Sequence, residues 1–426
     1  IHERLVGSEM CIRDRCGDFL YLCGTMIDPV FYCIDLSLTA WVLTGVSVLC
    51  VLLLILLWDW RARRIWRRAA ADNEAPMPAD EAFPPVSVVV IARGDSRNLA
   101  TLLPDILHQD YPAPLEVIVV NNEQSSSTAD VVGSLQLSHS NLYMTYVPEH
   151  ARNLSRRKLS ITLGIKAARY PFVALTEGGC RIPSPLWLRS MMRHAAMGKE
   201  LVIGFATDVD EPDDSQPQQM RGARLRNFDR VWNAVRWLPR AIAHHPYRGT
   251  GANLVYSREL FFSHKGFSST LNMVYGDDDL FINEIATKSN CAVELSENSR
   301  VVVPRSLPRY MHGIERQMRA FSRHDLPSSP WLLMGACSML WWMWLGCSIA
   351  ASVVGWPSLV PMATVVLAAI PLWIVSCRQW RRASKALGLR PMLMMVPLMA
   401  LWHPIYNIRY RIATRRNRKN KFTNRA

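Results

Sequence analysis

Residues 86–121 read VSVVVIARGDSRNLATLLPDILHQDYPAPLEVIVVN, and this stretch decides the fold class. Val86–Ala92 and Leu115–Asn121 are runs of β-branched residues bounded by turn residues, which is typical of buried parallel strands. Between them, residues 98–109 place leucine and isoleucine at helical spacing. A strand, a helix and a strand in this order predict a βαβ unit, and therefore an α/β domain built on a parallel sheet.

The apolar residues of the chain are concentrated near both ends. Residues 36–58 form a run without a charged side chain, long enough to cross roughly 30 Å of hydrocarbon. Residues 331–354 and 356–377 are two further runs of membrane length. Clusters of arginine follow residues 58 and 377, and such clusters mark the cytoplasmic flank of a membrane helix. We therefore expect one membrane helix before the α/β domain and two after it.

The three expected membrane helices delimit the remaining segments of the chain. Residues 1–25 lack a Met start and any periodicity, so we expect a non-native or disordered segment there. We interpret residues 61–85 as a basic juxtamembrane stretch with a linker, and residues 86–330 as the cytosolic domain. Residues 389–408 are apolar but have basic flanks on both sides, which leaves a re-entrant, an interfacial and a fourth membrane-spanning segment open. Residues 409–426 form a basic cytoplasmic tail.

Charge and cysteine content exclude other classes of protein. The 426 residues carry a formal net charge of +14, but the basic clusters adjoin apolar runs and no aromatic-basic recognition motif accompanies them, which argues against nucleic-acid binding. The ten cysteines form no CxxC pair and indicate no zinc site. A transporter is disfavoured by the large polar central domain and the few spans.

Several motifs, in a fixed order, make the central domain resemble a family 2 glycosyltransferase. They are the stretch from residue 84 to residue 132 with its Q-x-YP sequence at Gln109–Pro112, then SRRKLSITLGIKAARYPFVALTEGGCRIPSPLWL, GTGANLVYSRELF and GDDDLFINE. The resemblance covers about residues 84–325. It implies a GT-A fold, with a Rossmann-like mixed sheet and helices on both faces, and an inverting enzyme that uses a nucleotide sugar.

The resemblance also implies which residues contact the nucleotide sugar. Ligands of open α/β sheets bind beyond the carboxyl ends of the strands, where Asn and Asp side chains can read a base or a ribose. The implied set is Ala92, Arg93 and Asp95 after the first strand, Asn121 and Asn122 after the second, Lys158, Glu177, Asn253, Gln317 and Arg319. The alternative is that Asp95 and Asn121 are ordinary turn formers, but the surrounding matches favour contact with the nucleotide.

The metal-binding motif of this family is incomplete in this chain. Its D-x-D-like pair binds a divalent cation between the sugar-nucleotide phosphates, and carboxylate oxygens suit Mg²⁺ or Mn²⁺. Glu177 stands at the first carboxylate position, whereas Gly179 replaces the second. We therefore expect a weakened metal site in which Glu177 is the ligand.

Asp277, Asp278 and Asp279 are the expected source of the catalytic base. One or two carboxylates before the apolar segment LFINEIA are explained as helix caps, but three exceed that need. In the resembled family, the carboxylate at this position deprotonates the acceptor hydroxyl. We assign the base to Asp278, with Asp277 and Asp279 as alternatives.

These inferences predict a membrane-bound inverting glycosyltransferase with a cytosolic catalytic domain, located in a bacterial inner membrane. The expected partners are a nucleotide sugar, a lipid-linked or polysaccharide acceptor and the lipid bilayer. The alternative is a catalytically impaired relative that binds a sugar nucleotide or serves as a membrane scaffold. Three departures from the motifs of the resembled family favour this alternative: Asn121 with Asn122, Gly179 and Ala320.

Overall fold

The computed structural model describes residues 37–94, 96–148, 154–210, 223–273, 275–305, 325–356, 358–392 and 394–417. Residues 1–25, Asp95, Gln317 and Arg319 lie outside this part of the chain. The chain divides into two units, one made of Ile1–Leu57 with Cys337–Val375 and the other of Trp58–Ala336 with Ser376–Ala426. Each unit is described by itself below.

Helices and strands alternate through the larger unit. The α-helices of the described residues are α1 Leu38–Leu54, α2 Trp60–Glu74, α3 Ser96–Leu107, α4 Ser126–Gln136, α5 Arg156–Ala167, α6 Trp187–Ala196, α7 Ala223–Ile242, α8 Arg258–Ser263, α9 Leu280–Ile285, α10 Ser329–Val354, α11 Val360–Ala386 and α12 Val396–Asn417. A π-helical segment, Ile55–Asp59, makes α1 and α2 continuous along the chain. The strands are β1 Val86–Ala92, β2 Leu115–Asn121, β3 Leu142–Tyr146, β4 Phe172–Glu177, β5 Leu201–Ile203, β6 Ala206–Asp210, β7 Leu254–Ser257, β8 Cys291–Val293 and β9 Val301–Arg305.

Seven of the described strands form one mixed sheet in the order β3-β2-β1-β4-β7-β5-β8. Strand β7 is antiparallel to both of its neighbours, whereas the other pairs in this sheet are parallel. Strands β6 and β9 form a separate parallel pair. The predicted α/β class with a mixed sheet is confirmed, and β1 and β2 occupy the residues expected from the sequence.

Successive residues of β1 face opposite sides of the sheet, as the pleat requires. Val88 and Val90 belong to the core cluster that α3 and α6 complete, where Leu99 and Trp187 are fully buried. Val89 faces α5 on the other side: a Cβ added at Gly164 would lie 2.3 Å from its Cγ1 atom. Helices therefore cover both faces of the sheet, and α5 approaches it so closely that only glycine fits at position 164.

Helix α2 covers the first part of residues 61–85, for which the sequence predicts a basic stretch with a linker. The helix continues to Glu74, and a short 3₁₀-helix at Asp80–Ala82 follows before β1. Asp72 explains this length, because its carboxylate accepts a hydrogen bond from the Leu295 backbone N–H at 3.0 Å and its backbone carbonyl accepts one from Arg193 at 2.8 Å. These partners anchor the end of α2 against the sheet domain.

Three described helices are long and apolar enough to cross a membrane, namely Leu38–Glu74, Ser329–Val354 and Val360–Ala386. The last of these extends nine residues beyond the expected end at residue 377. Within the smaller unit, α1 and α10 are joined by a buried hydrogen bond of 2.9 Å between the hydroxyls of Ser47 and Ser348. Short polar pairs of this kind are a common contact between helices in lipid.

Residues 389–408, left open in the sequence interpretation, contain the first half of α12. This helix runs from Val396 to Asn417 and therefore includes the first part of the predicted tail at residues 409–426. It is not among the candidate membrane spans found in the described residues. In the larger unit, His403 of α12 lies 2.9 Å from the Asp229 carboxylate of α7.

Candidate active site

The carboxyl ends of β1, β2 and β4 lie side by side at one edge of the sheet. The parallel register places Ala92 beside Asn121, and Ile91 beside Glu177. Gly178 donates a hydrogen bond of 2.8 Å to the Ile91 carbonyl, and a Cβ at Gly178 would lie 3.2 Å from the Ala92 Cα. Three predicted site positions are therefore neighbours at the edge where α/β sheets bind ligands.

Asn121 serves the turn that follows β2. Its side-chain oxygen accepts a hydrogen bond from the Ser125 N–H at 3.0 Å, and its side-chain nitrogen donates one to the Ser125 carbonyl at 2.9 Å. Asn122 accepts a hydrogen bond of 3.1 Å from the Ser160 hydroxyl on α5. Both asparagines are buried, and these contacts bear out the turn-forming explanation of Asn121. Contact of either residue with a nucleotide base stays a prediction.

Arg157, in the first turn of α5, connects the strand ends to the aspartate turn at residues 277–279. Its Nη1 atom lies 2.6 Å from the Glu177 carboxylate, and its Nε donates a hydrogen bond to the Asp277 carboxylate. Although burial lowers the pKa of Arg157, the carboxylates of Asp277 and Glu177 raise it well above its ordinary value. The guanidinium is therefore a permanent positive charge between two carboxylates.

The three aspartates of the turn have different surroundings. Asp277 is paired with Arg157. Asp279 is buried and caps α9, because its carboxylate accepts a hydrogen bond of 2.8 Å from the Leu280 N–H. Asp278 has one carboxylate oxygen 3.6 Å from Arg248, and its side chain remains 25% exposed. Only Asp278 therefore combines an incomplete set of contacts with access from outside, which is what an acceptor base requires.

The surroundings of Asp278 also favour proton uptake near neutral pH. Burial raises the pKa of this carboxyl to about 7, and the effect of burial exceeds the opposing influence of Arg248. The neighbouring carboxylates of Asp277 and Asp279 raise it further. A general base works best when its pKa is close to the operating pH, so Asp278 is the best placed of the three.

Lys158 is directed into the protein. Its ammonium donates a hydrogen bond of 2.7 Å to the Thr270 carbonyl and lies 5.8 Å from the centre of the Phe267 ring. Burial lowers the pKa of Lys158 to about 8, against the opposing influence of the three aspartates. The side chain is fully buried, and contact of Lys158 with a phosphate stays a prediction.

Asn253 is a structural residue in this arrangement. Its amide nitrogen donates to the carbonyls of Ser299 at 2.8 Å and Phe205 at 3.1 Å, and its oxygen accepts from the Trp187 ring nitrogen at 3.1 Å. The buried amide is thus engaged by three protein groups, as buried polar groups generally are, and its role in binding the nucleotide sugar stays a prediction. Gly251, two residues earlier, does reach the site: a Cβ there would lie 2.5 Å from the Arg157 Nη2 atom.

Arg93 adds a second cation at the strand ends. It is exposed, and its guanidinium interacts electrostatically with Arg157, Glu177 and Asp277. Arg157 and Arg248 were missed by the sequence interpretation, although Arg157 lies in the motif SRRKL and Arg248 directly precedes GTGAN. Arg156 and Arg157 are adjacent at the start of α5, and the sequence does not indicate which of them points into the site.

Among the described residues, those around Glu177 do not fit a divalent cation. A metal held by Glu177 would need further oxygen ligands, but the carboxylates of Glu177 and Asp277 are both paired with the Arg157 guanidinium, and Gly179 supplies none. Elsewhere in the described residues, ligand atoms of Asp72, His194 and Glu294 lie within 4.8 Å of one another. Arg193 is paired with both carboxylates of that group, at 3.3 Å and 2.6 Å, so the negative charge there is already balanced.

A mixed α/β sheet with charged side chains converging at the carboxyl ends of its strands is typical of nucleotide-binding enzymes. Residues 84–244 match the family model described as "Glycosyltransferase like family 2". The family that the sequence motifs predict is therefore the one whose model matches this part of the chain.

Comparisons with whole proteins give less information about this chain than the family model does. No curated protein matches the chain. Among solved structures, the mannosyltransferase PcManGT from Pyrobaculum calidifontis, in complex with GDP-Man and Mn²⁺, is similar at 19% sequence identity. The similarity covers 86% of this chain and 99% of that chain, with a TM-score of 0.49.

Proposed function

We propose that the chain transfers a sugar, with inversion at the anomeric carbon, from a UDP-sugar to a lipid-linked or membrane-proximal glycan. The observation that carries this proposal is the position of Asp278. It is a partly exposed carboxylate with a pKa of about 7, in a turn whose neighbour Asp277 is paired with the Arg157 that also holds Glu177 at the end of β4. A carboxylate with such a pKa suits proton removal from a hydroxyl at neutral pH.

In the proposed reaction, the acceptor oxygen forms a bond to the anomeric carbon as its proton passes to the Asp278 carboxylate. The bond between that carbon and the diphosphate oxygen breaks, and the bonding electron pair leaves with the nucleoside diphosphate. Attack on the face opposite the leaving group inverts the configuration. Arg93 and Arg157 face the developing negative charge, since guanidinium groups pair well with phosphate oxygens.

The candidate membrane helices support a lipid-linked acceptor. Three helices of the described chain are of membrane length. An enzyme held in the bilayer and a lipid-linked substrate both diffuse in the plane of the membrane, which shortens the search for the acceptor. We place the catalytic domain on the cytoplasmic side of a bacterial inner membrane, because arginine clusters follow residues 58 and 377.

The test is transfer by the full-length protein in membranes, using a panel of labelled UDP-sugars with a GDP-sugar for comparison and a lipid extract as acceptor. We expect a labelled lipid product with one UDP-sugar and its loss in Asp278→Asn, while donor binding is retained. Asp130→Asn is the matched control, because Asp130 is an exposed aspartate on α4 outside the site.

Two results would contradict this proposal. Undiminished transfer by Asp278→Asn would remove the assigned base. Donor binding without transfer to any acceptor fraction would favour the alternative of a sugar-nucleotide-binding scaffold. The engagement of Glu177 by Arg157 is the structural observation in favour of that alternative.

A further inference from the structure

The Arg157 guanidinium lies between carboxylates from two distant parts of the chain. Glu177 closes β4, and Asp277 stands 120 positions after Arg157. The three side chains are only 10–25% exposed. At such partly buried positions, opposite charges interact more strongly than in bulk water, so the three groups stabilise one another.

The backbone at Gly251 lies close to the Arg157 guanidinium. Gly251 leaves space that a Cβ would fill, since that atom would lie 2.5 Å from Nη2. The Nε and Nη1 atoms are engaged by Asp277 and Glu177, so within the described part of the chain Nη2 is the nitrogen that remains for another partner. The pairing orients the guanidinium without using its third nitrogen.

The same two carboxylates are the groups that would otherwise hold a cation at the strand ends. A divalent ion near Glu177 would lie close to Arg157, and the two positive charges would repel each other. Arg93 interacts electrostatically with the same groups and provides a second positive charge. The positive charge that balances the two carboxylates at the strand ends is thus supplied by arginine side chains.

We propose that Arg157, together with Arg93, neutralises the donor diphosphate in this protein, and that donor binding and sugar transfer proceed without a divalent cation. This inference rests on the proposed function. When the anomeric carbon–oxygen bond breaks, the electron pair goes to the diphosphate, and Nη2 of Arg157 donates a hydrogen bond to the oxygen that receives it. Arg157 is then a catalytic residue that contacts the leaving group.

The first experiment measures transfer by the full-length protein after treatment with EDTA, with and without added Mn²⁺ or Mg²⁺. The expected result is an unchanged rate in EDTA. Transfer that stops in EDTA and returns with Mn²⁺ overturns the inference, while the proposed function stands. Absence of transfer under every condition contradicts the proposed function instead, and the inference is then decided by the binding measurement.

The second experiment measures binding of the UDP-sugar calorimetrically in EDTA, and binding of Mn²⁺ alone by electron paramagnetic resonance. We expect donor binding in EDTA and no tightly bound Mn²⁺. Donor binding that requires Mn²⁺ overturns the inference whether or not transfer is detected.

Variants of Arg157 separate its charge from its role in folding. Arg157→Gln is expected to lower kcat by about 100-fold, the usual effect of losing one donor to a developing anion. Arg157→Lys retains the charge but not the planar fork, so an intermediate loss is expected, with normal thermal unfolding. Lys166→Gln is the matched control, because Lys166 is an exposed cation at the other end of α5. Equal rates for wild type and Arg157→Gln overturn the inference.

Discussion

At the scale of single residues, Asp278 differs from its two neighbours through its surroundings. The sequence shows three consecutive carboxylates, and their spacing alone does not distinguish a cap, an ion-pair partner and a base, because all three are aspartates. The structure assigns Asp279 to the start of α9 and pairs Asp277 with Arg157. The choice of Asp278 therefore depends on contacts made by residues far away in the chain.

The pH dependence of transfer tests this choice. Burial raises the pKa of Asp278 to about 7, so the carboxylate is protonated below that pH and free to accept a proton above it. We therefore expect kcat/KM to rise as the pH increases through about 7, and then to level off. A pH–rate profile of the full-length protein measures this. A profile that is flat between pH values of about 5 and 9, where a base of this pKa must titrate, would contradict the assignment.

Gly251 provides a second test at this scale. In Gly251→Ala, the new Cβ would lie 2.5 Å from the Arg157 Nη2 atom, so the guanidinium has to move. We expect weaker donor binding and a lower kcat, with a small change in thermal stability. Gly133→Ala on α4 is the control, because no atom lies within 4 Å of its added Cβ. If both variants transferred sugar like the wild type, the fixed position of Arg157 would be unimportant.

Arg157 shows why the sequence predicts only part of the site. Strand ends are predictable from β-branched runs, which is why Ala92, Asn121 and Glu177 were placed at one edge. Arg157 was missed because its partner Asp277 is 120 residues away, and spacing along the chain carries no information about that contact. The hydrogen bonds of Asn253 were unpredictable for a related reason, since its partners come from three separate segments.

At the scale of elements, helix α5 sets the distance between the sheet and the site. Gly164 lies against Val89 and Val120 on the sheet, and its absent side chain allows the helix to pack closely. Arg157 stands two turns earlier on the same helix, so any displacement of α5 also displaces the guanidinium.

Gly164→Ala should therefore affect both stability and activity. The added Cβ would lie 2.3 Å from the Val89 Cγ1 atom, and overpacking of this kind costs about 1–3 kcal/mol. The intrinsic preference of alanine for helices offsets up to about 1 kcal/mol of that cost. Chemical unfolding and donor binding measure the two effects. An unfolding free energy equal to that of the wild type would show that the sheet can yield at this position.

Element boundaries were predicted well where local pattern decides them and poorly where tertiary contacts do. The limits of β1 and β2 follow from apolar runs between turn residues. The end of α2 does not, because its last turns are polar and alanine-rich. Helix persists to Glu74 in the structure, where Asp72 meets Leu295 and Arg193.

At the scale of the whole molecule, the larger unit contains a buried charge network that joins sequence segments more than 100 residues apart. Asp72 and Glu294 are both paired with Arg193, and His194 lies 3.0 Å from the Glu294 carboxylate. All four side chains are at most 10% exposed. Removing one member leaves an unpaired buried charge, which is far more costly than losing an exposed ion pair.

Asp72→Ala should accordingly destabilise the larger unit by about 3–5 kcal/mol. The measurement is unfolding of the detergent-solubilised protein followed by protease susceptibility. Glu74→Ala, an exposed acidic residue at the end of the same helix, is the control and should change little. Equal protease resistance of the two variants would argue against the network as a stabilising element.

The attachment of α2 has a practical consequence for anyone who wishes to study the catalytic part outside lipid. A fragment beginning at Val86 would contain every described strand yet would lack one of the two carboxylates that pair with Arg193, so low yield and aggregation are to be expected from it. A fragment that begins at Trp60 keeps this carboxylate, and we expect it to fold in higher yield than the shorter one. The stretch that looks most dispensable in the sequence is thus the part to retain.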